Sequence, residues 1–338
     1  MKSKKLLLLS AISMIALASC GGSRRIDMST WEFAPADATN IKVGILQPVE
    51  HGALTAARQG FVKAFQDANV TVTVDYQNAG SSSSDLNTLA KNLVANNDLT
   101  LGIGTGASIA LQSASIYSGK TNPIFFTAVT DATGAGLVDS DDNPGQNITG
   151  SSDINPVADQ IALVKRCIPG ATKLGVMYTQ SEQNSKVQAD LAKAKAEEEG
   201  LSVTIATCND ASDIASVAQQ ICSSGIDALF VPTDNNLAAH MDSIKSALDA
   251  NHVLCITGEG DSCKAGGHIT LSIDYELLGY KAGLLAIKVV KGEAKPCDLP
   301  VFKFAGAECE LQICSANLAD AQITLPQEVV NEAKDLQK

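Results

Sequence analysis

The sequence predicts an α/β protein made of two doubly wound, parallel-sheet lobes. Three observations predict it. From Ile41 onward, short apolar runs alternate with amphipathic helical stretches, the pattern of strand–helix–strand units with right-handed crossovers. The runs also recur at nearly the same spacing. Residues 41–46 answer to 172–177 and 72–76 to 203–207, both at an offset of 131; residues 101–105 answer to 229–233 at 128, and Thr127 and Asp131 to Thr257 and Asp261 at 130. Finally, the strands end abruptly. The run Ile124, Phe125, Phe126 turns within one residue to Thr127 and then to small polar residues and glycines through Gly136, and residues 253–261 do nearly the same. In open α/β sheets that carboxyl edge is where ligands bind.

Residues 1–19 stand apart. Lys2, Lys4 and Lys5 precede a short apolar core over 6–18, too short to span a membrane and shaped as a signal peptide. It ends Leu17-Ala18-Ser19-Cys20, which resembles a bacterial lipobox with Cys20 as the lipidated residue. Residues 20–40, rich in Gly, Ser, Asp, Ala and Thr with a lone Trp31, read as a lipid-anchored tether. No later stretch is long and apolar enough to span a membrane, so the chain is expected to be exported and held on a membrane through its lipid.

The first lobe begins with a strand over 41–46, a turn over 47–52 and a helix over 54–67 with Ala57, Phe61, Ala64 and Phe65 on one face. A strand over 70–76 follows. The serines at 81–84 lead to Asp85, read as the cap of a helix through Leu86, Leu89, Leu93 and Val94. A strand over 99–103 is broken by Gly104-Thr105-Gly106 before a helix over 108–115. The second lobe repeats this order. A long helix over 276–290 stops at Lys291-Gly292. The remainder has no counterpart in the first lobe and is expected to cross between lobes. The expected division is 41–148 plus 274–300 for the first lobe and 149–273 plus 301–338 for the second.

Composition narrows the partners. The formal charge is −12, and loss of the three leader lysines takes it to −15, which argues against nucleic acid or an anionic surface as partner. Beyond Cys20 there are eight cysteines, an even number in an exported chain, with Cys309–Cys314, Cys255–Cys263 and Cys208–Cys222 as local disulfide candidates. A metal cluster has less support, because there is no Cys-x-x-Cys and His51, His240, His252 and His268 share no ligand spacing.

Both lobes offer a ligand edge. The first presents Gln47, Glu50, Thr105, Gly106, Thr127, Ala128, Val129 and Thr130; the second presents Ser181, Asn184, Ser185, Thr233, Asp234, Asn235 and Glu259. A ligand held between them would be enclosed by lobe closure. Tyr178, at a strand tip, either stacks on a ligand or packs the lobe. Asp131 is a turn residue or a ligand contact, and Thr233-Asp234-Asn235 a ligand edge or a helix cap. Gly102-x-Gly104-x-x-Ala107 formally fits a dinucleotide fingerprint, but Phe125-Phe126-Thr127 stands where its acidic partner is required, so no cofactor is expected. No nucleophile elbow is present, and no enzymatic activity is expected.

The chain resembles the type I periplasmic-binding-protein lipoproteins that serve ABC importers, in particular the tryptophan/tyrosine-type branch. The carrying residues are 43–51 (VGILQPVEH), 56–60 (AARQG), 75–79 (DYQNA), 126–131 (FTAVTD) with 134–138 (GAGLV), and Asn155-Pro156. With them go 181–185 (SEQNS), 231–235 (VPTDN), Ile273-Asp274-Tyr275, 278–280 (LGY) and 291–296 (KGEAKP). The resemblance covers about 41–300 and implies three crossovers between lobes, a monomer, and permease and ATPase partners. It also implies an amino acid ligand, aromatic in this branch. Thr105, Thr127, Asn184 and Ser185 would then suit its carboxylate, and Asp234, Glu259 and Asp274 its ammonium group. The sequence departs from the family pattern after Glu259, where Gly260 precedes Asp261. A ligand sensor of the same fold acting on a receptor, or a carrier of a nucleoside or other solute, is the alternative.

Overall fold

The computed structural model describes residues 26, 28–305 and 308–337; the leader and Cys20 lie outside them. The first lobe contains β1 (Ile41–Gln47), α1 (Gly52–Asp67), β2 (Val72–Asn78), α2 (Ser83–Asn96), β3 (Leu99–Ile103), α3 (Thr105–Ser118), β4 (Ile124–Val129) and β5 (Ile148–Ser152). The chain then crosses over. The second lobe contains α4 (Val157–Cys167), β6 (Lys173–Thr179), α5 (Gln183–Glu198), β7 (Ser202–Cys208), α6 (Ile214–Cys222), β8 (Ala228–Val231), α7 (Asn235–Ala238), α8 (Met241–Asn251), β9 (Leu254–Thr257), α9 (Gly260–Ala265) and β10 (Ile269–Ser272). Helix α10 (Tyr275–Val290) and β11 (Phe302–Lys303) return to the first lobe; β12 (Glu310–Ile313), α11 (Ser315–Asp320), α12 (Gln327–Glu332) and β13 (Lys334–Asp335) complete the second.

The two sheets explain the sequence repeat. Their strand orders are β11-β5-β4-β3-β1-β2 and β13-β12-β10-β9-β8-β6-β7. Five strands of each, β2-β1-β3-β4-β5 and β7-β6-β8-β9-β10, therefore share one doubly wound order, with parallel pairing throughout. The exception to parallel pairing lies in the tail, where β12 runs antiparallel to β10. The central strands β3, β4 and β8 are buried along their whole length, as a parallel sheet covered by helices on both faces requires.

Several local expectations shift. Ser82, not Asp85, caps α2, its hydroxyl accepting from the Asp85 amide at 3.3 Å. Strand β5 joins the first sheet, so the first crossover follows Ser152 rather than residue 148, and β11 places 302–303 in the first lobe as well. The described part of the expected tether lies along the first lobe. Trp31 is 6% exposed within that lobe's core, and its indole N–H donates to the Thr121 carbonyl at 2.5 Å. All eight described cysteines are free thiols, so none of the three expected pairings is formed. For Cys309 and Cys314 the reason is geometric. They flank the extended β12, whose rise of about 3.3 Å per residue sets them far beyond the roughly 7 Å limit for a disulfide. Burial pushes the Cys208 and Cys222 thiols up to about 12, which makes both inert.

Where α1 and α10 cross, glycine is mandatory. A Cβ at Gly279 would lie 1.8 Å from the Ala57 carbonyl, and one at Gly60 equally close to the Glu276 carbonyl. This contact holds the returning α10 on the first lobe. The hinge is tied by polar bonds: the Asp153 carboxylate on the first crossover accepts from Thr130 (2.9 Å) and from the Tyr275 hydroxyl (3.0 Å) on the second.

Candidate functional site

Two cavities lie between the lobes. One, of about 670 Å³, opens where the carboxyl edges of both sheets face each other. The first lobe gives it Pro48, Val49, Leu86, Ile109, Ala110 and the start of α3 at Thr105 and Gly106, with Ser81, Ser83 and Asn87 at its margin. The second gives Thr179, Ser181, Glu182, Gln183, Asn184, Asn209, Asp210, Asn235 and Asn236, with Ala211 and Ser212. The apolar side chains of the lining thus come almost entirely from the first lobe, beside four polar ones, and the second lobe's wall is almost wholly polar.

Helix α3 begins at the cavity. Its N-cap is Gly104 at φ 83°, a left-handed conformation that glycine tolerates and that turns the chain sharply from β3 into the helix. No side chain caps it and its first turn carries no acidic residue, so its leading amides remain available. Thr105, 4% exposed, has a hydroxyl with no hydrogen-bond partner among the described residues. Near the same edge, Ala128 adopts φ 55° where the β4–β5 register slips between Phe126 and Val129. Thr127 is directed inward, its hydroxyl accepting from Ser151 at 3.0 Å.

On the second lobe Glu182 is the organising group. Its Oε2 accepts from the Asn235 amide (3.0 Å), the Asn235 side chain (2.7 Å) and the Asn184 side chain (3.2 Å), and its Oε1 from the Asn236 amide (2.9 Å). Burial, and then the neighbouring Asp234 carboxylate, push the Glu182 carboxyl up from its ordinary value. Asp234 caps α7 through the Leu237 amide (2.9 Å) and also accepts from the Thr179 amide and hydroxyl (2.6 and 2.9 Å). Asn184 and Ser185 both bond the Thr233 carbonyl, at 2.9 and 3.2 Å. Gln188 donates to the Thr233 hydroxyl and, across the lobes, to Thr130 at 3.4 Å. A second cross-lobe contact pairs His51 Nε2 with Asn235 Oδ1 at 3.3 Å.

The structure therefore brings Thr105, Gly106, Ser181, Asn184 and Asn235 of the expected residues to this cavity. Gln47, Thr127, Val129, Ser185, Thr233 and Asp234 lie buried behind it. Others are placed elsewhere. Glu50 is exposed and engaged by Arg58 (3.0 Å), Tyr76 (2.5 Å) and Gln47 (2.9 Å). Tyr178 packs on the second lobe's core. Asp131 accepts from the Gly134 amide at 2.7 Å, closing a turn. Glu259 and Asp274 line the other cavity, of about 660 Å³, on the hinge side. There both are helix caps: Glu259 accepts from the Asp261 and Ser262 amides (2.6 and 2.7 Å) and Asp274 from the Leu277 amide (2.9 Å). Burial pushes the Glu259 carboxyl up to about 7. Glu182 is the residue the sequence reading passed over, although it sits between two chosen neighbours in SEQNS. Its signal was an acid at the tip of a repeated strand.

Comparison with known proteins decides what such an interlobe cavity belongs to. Residues 42–337 match the family model for ABC transporter substrate binding proteins. The chain belongs to that family. Among its curated relatives is a tyrosine-binding protein of Clostridioides difficile, 35% identical over 308 residues that span 89% of this chain and 88% of the relative. Among solved structures, a Streptococcus pneumoniae protein in complex with L-Trp is 34% identical with a TM-score of 0.82, covering 88% of this chain and 99% of its own. The ligand-free, open form of a Clostridium difficile substrate-binding protein with adhesive properties is 32% identical, with coverage of 88% and 99%, but a TM-score of 0.65. At nearly equal identity, the present chain is closer in overall shape to the L-Trp complex than to the open form.

This substrate-binding protein thus has the type I periplasmic binding fold, serves an ABC transporter and works outside the cytoplasm with a small-molecule ligand. Its family is one of binding proteins rather than enzymes. Among the described residues, no helix is long and apolar enough to cross a membrane.

Proposed function

We propose that this protein captures an aromatic amino acid in the 670 Å³ interlobe cavity and delivers it to the permease and ATPase of an importer. The observation that carries the reading is the two-sided lining. The apolar wall of Pro48, Val49, Leu86, Ile109 and Ala110 suits a ring, and the polar wall suits an amino acid's charged end. The volume falls within the roughly 300–1,000 Å³ of small-molecule pockets. The relatives that bind tyrosine or carry L-Trp support the same ligand class. Thr105, with its unpartnered hydroxyl at the uncapped start of α3, and Gly106 take the ligand's carboxylate. Ligand binding favours the closed arrangement, in which His51 meets Asn235 and Gln188 meets Thr130, and the permease reads that form. Residues 1–19 are removed and Cys20 is lipidated, holding the monomer at the membrane.

The test is a thermal-shift screen of the protein against the twenty amino acids, nucleosides and sugars. Ligand at a hundredfold excess over its Kd adds about 2.7 kcal/mol of stability. A shift confined to Trp, Tyr or Phe is expected. A response to a nucleoside or sugar alone would retain the fold and overturn the ligand.

A further inference from the structure

The polar wall contains acidic groups without a basic partner. Among the described residues that line the cavity, none is Lys, Arg or His, whereas Glu182 and Asp210 are acidic and Asp234 is buried directly behind Glu182. A half-buried carboxyl group beside a second one is ionised at a cost, which a proton or an incoming cation relieves. The hydrogen bonds around Glu182 are also lopsided. Three of its four donors converge on Oε2, and Oε1 accepts from the Asn236 amide alone. A carboxylate oxygen has room for a further donor, so Oε1 retains acceptor capacity beside the cavity while Oε2 anchors the group.

From this we infer that Glu182 is the counter-charge for the ligand's ammonium group, and hence the residue that makes the site select amines over the corresponding acids. The inference rests on the proposed amino acid ligand and deepens it. It moves the cation-binding role from Asp234, a buried helix cap, and from Glu259 and Asp274, which cap helices at the hinge-side cavity, to a residue on the cavity wall. The ligand then spans the lobes. Its carboxylate meets the α3 start on the first lobe and its ammonium meets Glu182 on the second. Glu182 also holds Asn235 by two bonds, and Asn235 faces His51 of the first lobe, so the carboxylate that receives the ligand also fixes a closure contact.

The experiment is calorimetric titration of the full chain with L-Trp, L-Tyr and L-Phe, and with the deaminated 3-arylpropanoate of whichever binds tightest. Wild type is expected to prefer the amino acid by roughly ten- to a hundredfold. Glu182→Gln should lose that preference, binding amino acid and deaminated acid alike, and Glu182→Asp should recover part of it. Melting of each variant without ligand checks that it is folded. An E182Q protein that keeps the full preference overturns the inference and leaves the amino acid reading standing, and so does a wild type that binds both compounds equally. Absence of binding by every aromatic amino acid overturns both.

Discussion

The two lobes share one strand order and contribute different chemistry. At the cavity the first lobe offers aliphatic side chains, a few hydroxyls and the leading amides of a 14-residue helix, whereas the second offers almost only polar and acidic side chains around the four-residue α7. The lobes also stabilise themselves differently. The first is closed by α10 crossing α1 through glycines, with Trp31 sealing its core. The second buries a histidine beside its sheet, His268, whose Nδ1 accepts from the Cys255 amide at 2.8 Å while its Nε2 has no partner among the described residues. A duplicated topology thus preserves where a ligand edge falls and leaves free which atoms occupy it.

Because Trp31 is the chain's single tryptophan, its fluorescence follows the first lobe alone, while circular dichroism follows both. The largest effect on the comparison is expected from Gly279→Leu. Its Cβ would collide with the Ala57 backbone carbonyl, at a cost of more than about 3 kcal/mol. Trp31 fluorescence should then report unfolding well before the dichroism is lost; coincident transitions would show that the lobes fold as one unit.

The next effect belongs to the second lobe. Burial lowers the His268 pKa from 6.5 to about 4, so the folded state favours the neutral ring. The resulting stability is fully present above pH 6.5 and is lost as pH falls from there to about 4, a loss of about 3 kcal/mol. Urea unfolding across that range should show it by dichroism, and His268→Gln should lessen the dependence, leaving the share of His51, whose pKa burial also lowers to about 4. A wild-type curve as flat as the variant's would sink the assignment.

Thr105→Val tests the first lobe's edge. Removing a buried hydroxyl that lacks a partner should raise stability by about 1 kcal/mol and weaken ligand binding by a similar amount. Unchanged affinity in titration would remove Thr105 from the site. The smallest effect is expected from Asp274→Ala. As the α10 cap it should cost about 1 kcal/mol of stability and leave affinity unaltered; weakened binding would return Asp274 to the ligand.

Much of this was legible in the residues. Apolar runs such as 99–103 and 124–129 are long enough to be strands and too short to be free helices, and their recurrence revealed the duplication. The fifth strands β5 and β10 escaped because ITGSS and ITLS are short and polar-rich, and only their place in a sheet defines them. The site was half legible. Thr105 and Asn184 could be placed because a strand end predicts where an edge lies. Glu50, Glu259 and Asp274 fall outside this cavity, because a carboxylate near a strand or helix end serves equally as an ion-pair partner or a cap.

By itself, the sequence determined the α/β class, the two-lobe repeat and the edge at which a ligand would be held. Those follow from periodicity and turn chemistry, which are properties of neighbouring residues. Tertiary structure alone decided which acids face the cavity, that Trp31 belongs to a core, and that the eight cysteines stay unpaired. Each depends on where strands far apart in the chain come to rest, and the local pattern carries no record of that distance.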